Sequence, residues 1–575
     1  MAGRSSGMLD TLTRHRRIGL FDRVSNMVGA MPAGDKLIAG TLALIFALSC
    51  FSGLVALERT MLVEVPTYGG SITEGIVGTP RFVNPLLALT DADRDLTTLT
   101  YAGLMGTGPD GLRPVLAESY EISPDGKTYT FTLRKGLKFT DGSPITADDV
   151  VFTVTKAQDP ALKSPELANW ANIRVEALDA QTVRFTLPKA YAAFLEDTTL
   201  GILPSRLWKN VPDEQFPFDK RMVVPVGDGP FKVSRVIRDR NGIITGYDLV
   251  ANRSYALGRP YLDAIRLRFY DTTDELSSAY KHGTVDSAYG IPAKGALTAP
   301  YSRVFGVFFN QSQNKALSQL AVRKALSIAI DRDHIVNNVL GGYATPLMGP
   351  VPPGSGIKSP VLEYDDRLAA ARKVLTDAGW TFDEEAGTWK NAKLSLTLDP
   401  IVITTSNVPE LKTLASSVET DWEALGVETS LEFSDPSALA TSVIRPRNYA
   451  ALYFGMVIGH DQDLFAFWDS SQKNDPGLNI ALYTNKSVDQ LLEKARQESD
   501  PAARTTDLQK ASDLIAADYP AAFTHAPEFI YALPQSMQGV VLPQITAPSD
   551  RFATVSTWHM RTEWVWPFFA PRSLP

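Results

Sequence analysis

From Thr128 to Leu133 apolar and polar residues alternate strictly, so Tyr129, Phe131 and Leu133 share one face of a strand. Residues 181–187 repeat the pattern, with Val183, Phe185 and Leu187 on one face. Turn chemistry lies around these runs. In Ser123-Pro124-Asp125-Gly126 the proline presets φ and the glycine accepts a positive φ, and Asp141-Gly142 marks a second turn. Thr146-Ala147-Asp148-Asp149 sets a hydroxyl cap and early carboxylates ahead of an apolar run, which predicts a helix start. Further along the period becomes helical. Residues 317–340 read as helical and stop at Gly341-Gly342. Leu368, Ala371, Leu375 and Ala378 form one stripe with Gly379 as C-cap; Leu411, Leu414, Val418, Trp422 and Leu425 form another, stopped by Gly426. Helices are also predicted over about 487–498 and 502–518, the second ended by Pro520. These stripes read as core faces. Strand and helix signals mix from Gly70 onward without a simple βαβ rhythm, and 575 residues exceed one core, so an α/β chain of two or three domains is expected.

Composition narrows the function. Hydrophobic content of 44% and charged content of 21% are ordinary for a globular protein. A net charge of -8, with no basic stripe interleaved with aromatics, argues against nucleic acid as a partner. Gly126-Lys127-Thr128 imitates the end of a phosphate loop, but Glu121 stands where the first glycine of that motif belongs. None of the six histidines (His15, His282, His334, His460, His525, His559) has metal-ligand spacing, and Gly-x-Ser-x-Gly is absent. Gly70-Ser71 and Gly354-Ser355-Gly356 read as loops; Asp148-Asp149, Asp365-Asp366 and Glu384-Glu385 read as caps or polar turns. No catalytic set, metal or cofactor is expected; a hydrolase would need residues assembled from distant segments.

One long apolar segment, residues 37–57, carries no charge and is long enough to cross a bilayer as a helix. Arg4, Arg14, Arg16, Arg17, Arg23 and Lys36 precede it, against Asp10, Asp22 and Asp35, which places the N-terminus in the cytoplasm and the bulk of the chain outside. Three readings compete. A cleaved signal peptide needs a shorter run and a better cleavage site than Val55-Ala56-Leu57. A lipoprotein signal would use Cys50, the single cysteine, after Ala47-Leu48-Ser49. An uncleaved signal anchor fits the length and the long basic flank best.

The block Pro114 to Phe152 (PVLAESYEISPDGKTYTFTLRKGLKFTDGSPITADDVVF) resembles a signature of the family 5 extracellular solute-binding proteins that serve peptide-type ABC importers. Four later segments resemble the same family, in the same order. They are residues 225–233, with Gly227-Asp228-Gly229-Pro230; residues 252–268, with Tyr255, Gly258, Arg259-Pro260 and Leu262-Asp263; residues 322–332, followed by Gly342 to Pro346 and Gly349 to Pro353; and Asp461-Gln462-Asp463 within 451–468. The matches extend over about residues 70–540.

The resemblance implies a two-lobed periplasmic-binding-protein-like fold of class II, with a domain inserted in the first lobe, here behind an N-terminal transmembrane helix. It divides the chain into a cytoplasmic segment 1–36, an anchor 37–57 and a linker 58–69. Lobe 1 then comprises 70–101, 222–302 and 524–575, the inserted domain 102–221, and lobe 2 303–523. It implies a binding protein, not an enzyme, that holds a peptide or other small solute between the lobes and delivers it to permease subunits with a separate ATPase. The cleft candidates are Thr90, Asp91, Trp170, Tyr453, Gly455, Met456, Asp461 and Phe465. Peptide-binding members anchor the free amino group with an aspartate just before a second acidic element. With Asp461-Gln462-Asp463 as that element, Ile458 occupies the anchor position and Tyr453 falls where some members carry an arginine; a shifted alignment gives Asp461 the role. A membrane-anchored ligand sensor, favoured by the long N-terminal segment, is the alternative.

Overall fold

The two alternating runs pair with each other. In the computed structural model, which describes residues 19–109, 111–361 and 364–570, Thr128–Leu133 lies between Ala117–Ile122 and Thr182–Thr186, and Arg174–Ala177 completes an antiparallel four-stranded sheet. Phe131, Val183 and Phe185 are fully buried on its inner face. Phe131, Phe185, Phe194 and Trp170 form one aromatic core, with ring centroids 5.4 to 5.8 Å apart. The Gly126 amide donates to the Ser123 carbonyl at 2.8 Å, with Gly126 at φ +67°, so the false phosphate loop is a hairpin turn. Helix Ala147–Ala157 starts at Thr146, whose amide donates to the Asp149 carboxylate at 2.9 Å.

The apolar stripes also fold as their period requires. Helices Arg367–Asp377, Pro409–Leu425, Lys486–Gln497 and Pro501–Asp518 occupy the predicted positions. Gly426 takes φ +91°, the left-handed turn that a side chain would strain. The expected helix over 317–340 is broken instead. Leu320–Ala329 stops, and Arg332–His334 and a wider turn at Ile335–Val339 follow. Asp331 marks the break: its side chain accepts the His334 amide at 2.9 Å and so starts a new helix where the polar residues 331–334 interrupt the apolar run.

Twelve strands form the main sheet among the described residues. Its spine runs Thr429–Ser434, Ile401–Ser406, Ala451–Val457, Arg303–Phe309, Ala521–Ala532, Ser287–Tyr289, Ser71–Val77, Ala264–Tyr270, Ile244–Ala251 and Phe231–Arg238. Ala521–Ala532 is the pivot. Up to Pro527 it pairs with Arg303–Phe309 and Ala344–Pro346; beyond it, with Leu297–Pro300 and Ser287–Tyr289. The expected boundary at residue 524 therefore falls inside one continuous strand. Trp422, Trp380 and Trp389 fill one core on the first side of this strand, and Trp468 fills a second with Phe308 and Phe523. Tyr531 and Trp558 fill the core on the other side.

A buried ion cluster joins three elements of that last region. The Arg551 guanidinium, with no exposed side-chain surface, lies 2.9 Å from Glu74 Oε1 and 2.7 Å from Asp95 Oδ2. It thereby ties strand Ser71–Val77 and helix Asp91–Thr100 to the turn Pro548–Phe552.

Thr67–Arg561 is one compact unit. The described residues outside it form a second. There helix Ala33–Met61 is followed by Val63–Pro66, which pairs antiparallel with Thr562–Val565. The predicted apolar segment lies within this helix, whose part Ala33–Gly53 has a mean hydropathy of 1.7 and no buried residue.

Candidate functional site

Two short segments far apart in sequence meet at a cavity. The turn Phe194–Asp197 is pinned by Phe194 in the aromatic core, which leaves Glu196 and Asp197 at the core's edge. The loop after strand Ala451–Val457 is pinned by fully buried Ile458 and Leu464, with His460 and Asp461 between them. The Ile458 amide donates to the Ser302 carbonyl at 2.8 Å. The two sides touch where the Ala192 amide donates to the Arg496 carbonyl at 2.9 Å. The Arg496 guanidinium sits 4.2 Å from the Phe465 ring centroid and 5.5 Å from that of Tyr191, while its Nε donates to Asp463 at 2.7 Å.

A cavity of about 300 Å³ is lined by Glu166, Glu196, Asp197, His460 and Asp550, with Asn169, Thr107, Thr199, Leu112 and Leu200. A second, of about 410 Å³, shares Thr107, Leu112, Glu196 and His460 with it. A third, of about 190 Å³, shares Thr107, Thr199 and Asp550 with the first and extends it toward Tyr101 and Arg113. Sites of this size suit a small organic solute. Among the described residues no lysine or arginine lines the 300 Å³ cavity, where four acidic side chains share the lining with His460.

The electrostatics follow from that crowding. Burial, then the nearby Asp461 charge, pushes Glu196 up to about 8. Burial, then Glu166 and Asp461, pushes Asp197 up to about 7. Burial also raises Glu166, and burial with Asp463 raises Asp461. For His460 burial opposes the charge, but Asp550 at 3.3 Å, Glu196 and Asp461 outweigh it and raise its pKa. Like charges in a desolvated cleft disfavour ionisation. A positive charge entering the cavity would favour the ionised form of these carboxyls, as the His460 imidazolium already does for Glu196. Among the described residues its side chains do not form a group able to hold a metal ion.

The cleft candidates read from the sequence separate into two sets in the structure. Asp461, with 11% of its side chain exposed, lies on the loop next to the cavity-lining His460, and half-buried Phe465 begins the short helix Phe465–Trp468 after it; neither side chain is itself part of the lining. The others lie farther from it, in cores or at a helix start. Trp170 is 2% exposed and packed against Phe185 and Phe194; its size and its place on the inner face of the sheet make it a core residue. Tyr453 is fully buried, its hydroxyl 3.2 Å from Thr524 Oγ1. Met456 is 3% exposed in the Trp468 core. Gly455 gives room to the Phe305 ring, which a Cβ would approach to 2.6 Å. Asp91 lies 3.5 Å from Arg94 and from the Tyr289 hydroxyl. The charge missing at Ile458 reflects a core position, not a vacant ligand contact. Glu166, Glu196, Asp197 and Asp550 have no distinguishing pattern in the sequence; His460, next to Asp461, is the one readable signal.

Thr90 is an N-cap. Its hydroxyl accepts the Asp93 amide at 3.1 Å, and the Asp93 carboxylate accepts the Thr90 amide at 3.0 Å. Thr90→Ala is expected to cost about 1 kcal/mol, read as a lower urea midpoint, with solute affinity unchanged. A ligand contact at this position would give the reverse.

Comparison with known proteins agrees with this architecture. The model of the bacterial extracellular solute-binding proteins, family 5 Middle, matches residues 111–477. The oligopeptide-binding protein AppA of Bacillus subtilis is 27% identical over 499 residues, covering 82% of this chain and 89% of the relative. The glutathione-binding protein GsiB of Escherichia coli is 28% identical over 492 residues, covering 81% and 91%. The structure of B. subtilis AppA in complex with a nonapeptide superposes with a TM-score of 0.66 at 25% identity, over 86% of this chain and all of its own. The ABC transporter substrate-binding protein CtaP of Listeria monocytogenes gives 0.72 at 27% identity, over 86% and 99%. The chain belongs to the bacterial extracellular solute-binding proteins of family 5.

Proposed function

We propose that this chain is the solute-capturing component of an ABC importer, held at the outer face of a membrane by helix Ala33–Met61. It takes a peptide, or a similar solute with a free ammonium group, into the acid-lined cavity and passes it to permease subunits driven by a separate ATPase. The single observation that carries this reading is the cavity lined by Glu166, Glu196, Asp197 and Asp550 and, among the described residues, by no lysine or arginine. Two relatives support it, since the nonapeptide held by AppA and the glutathione bound by GsiB are both peptides. Binding is non-covalent and no step requires catalysis.

In this reading residues 70–101, 222–302 and 524–575 form lobe 1, residues 102–221 its inserted domain, and residues 303–523 lobe 2. Asp461 and Phe465 contact the solute from lobe 2, and Glu196 and Asp197 from the inserted domain. Hinge closure about strand Ala521–Ala532 brings them together.

The test uses the full chain in detergent. Peptides of two to nine residues, each paired with its N-acetylated form, are screened by thermal shift, and mass spectrometry identifies any solute that co-purifies. A ligand of the native state must raise the melting temperature. Free-amine peptides are expected to do so and their acetylated partners to do so much less. If no solute of either kind shifts the melt, the transport reading loses its support.

A further inference from the structure

Residues 566–569, after the second strand of the ribbon, carry a cluster of bare aromatic rings. Trp566 is 36% exposed, Phe568 74% and Phe569 72%. The cluster is ordered: the Phe569 amide donates to the Trp566 carbonyl at 2.8 Å, and ring centroids are 6.2 Å apart for Trp566 and Phe568 and 4.5 Å apart for Phe568 and Phe569. Rings grouped this way are costly in water and mark a contact surface.

The register of the two-stranded ribbon says where the cluster lies. Thr562 pairs with Pro66 and Val565 with Val63. The C-terminal strand therefore runs back toward the end of helix Ala33–Met61, and the hydrogen-bonded turn of residues 566–569 follows directly on it. If the apolar run 37–57 spans the bilayer, at 1.5 Å per residue it covers roughly 31 Å, about the hydrocarbon thickness. Leu57 then sits at the hydrocarbon edge. Four helical steps to Met61 add roughly 6 Å and two extended steps to Val63 roughly 7 Å. Val63, and with it Val565, is thus at most about 13 Å from the hydrocarbon, and the turn that carries the rings begins at the next residue.

We infer that Trp566, Phe568 and Phe569 form an interfacial anchor that inserts among the lipid headgroups next to the membrane helix. Tryptophan favours that layer, where its apolar ring body and its indole N–H are both satisfied, and the wholly apolar phenylalanine rings gain by reaching toward the acyl chains below it. Exposed Trp564, opposite Glu64 on the ribbon, extends the same aromatic patch. The N-terminal helix and the C-terminus would then grip one membrane face through a single ribbon. This rests on the reading that the helix spans the bilayer.

The experiment separates the two claims. The full chain is reconstituted into phosphatidylcholine–phosphatidylglycerol vesicles carrying a lipid with a diazirine near the top of its acyl chain. After illumination, adducts are located by mass spectrometry. Adducts on both residues 33–57 and residues 566–569 are expected. Trp566→Ser/Phe568→Ser/Phe569→Ser is expected to lower tail labelling at least tenfold with helix labelling unchanged. A labelled helix with an unlabelled tail overturns the inference and leaves the spanning reading standing. An unlabelled helix overturns the spanning reading, and tail adducts in that case would support a membrane contact made by the rings alone.

Discussion

Replacing Arg551 with methionine is expected to remove about 3–5 kcal/mol of stability, because it strands two carboxylates in a dry interior. Arg551, Asp95 and Glu74 are at most 1% exposed. The guanidinium donates Nε to Glu74 and both terminal nitrogens to Asp95, at 2.7 to 2.9 Å. Its carbon also lies 4.0 Å from the Phe552 ring centroid and 4.9 Å from that of Tyr289. Burial pushes Asp95 up to about 6 even with Arg551 beside it. For Arg551 burial opposes the charge, and Asp95 and Glu74 outweigh it. Methionine fills much of the arginine's volume, so the loss reports the unpaired charges more than a void. The control is R551M combined with Glu74→Gln and Asp95→Asn. With no buried charge left, it should regain most of the lost stability, since a buried ion cluster contributes little net over neutral packing. Urea unfolding followed by tryptophan emission reads both. If R551M unfolds at the wild-type midpoint, Arg551 is not what holds Glu74 and Asp95.

The elements legible in the sequence are those whose burial is set locally. Tyr129, Phe131 and Leu133 alternate because one side of a strand faces a core, and the structure buries all three. Leu414, Val418, Trp422 and Leu425 repeat at the helical period for the same reason. Periodicity fails where a polar side chain recruits the backbone, as Asp331 does inside the stretch 317–340. It also says which face is inside, not what two distant faces build. Trp170 and Tyr453, cleft candidates by sequence, belong to cores, because a large ring looks alike in both settings. Glu196 and Asp197 look like solvated acids in one dimension. Only the meeting of residues 194–197 with 458–464 makes them walls of a cavity. Arg551, 477 residues from Glu74 along the chain, carries no local signal at all.

The pH dependence of solute binding should expose those walls. Glu196 is held at about 8 and Asp197 at about 7, well above the usual carboxylate range. In each the folded pKa is raised, so without solute the folded state is favoured when the groups are protonated. That contribution is complete below about pH 4, the unfolded value, and is lost as the pH rises through 7 and 8. An ammonium group reverses the preference, because it needs the carboxylates ionised. Binding must then expel protons, and affinity for a free-amine peptide should rise as the pH goes from 6 to 8, by up to about tenfold per unit for each proton released. Above about pH 8 the peptide amine itself deprotonates and affinity falls. An ordinary surface carboxylate would have finished ionising by about pH 5.5 and would leave the 6–8 range flat. Glu196→Gln keeps the shape and cannot ionise. It is expected to flatten the slope by about one proton and to lower affinity at pH 8 by about tenfold to a hundredfold, the worth of one charge-assisted hydrogen bond. Titration calorimetry in phosphate and in Tris, whose ionisation enthalpies differ, counts the protons directly. A dissociation constant that is level from pH 6 to 8, with equal heats in the two buffers, would show that these carboxyls do not receive the solute's ammonium group.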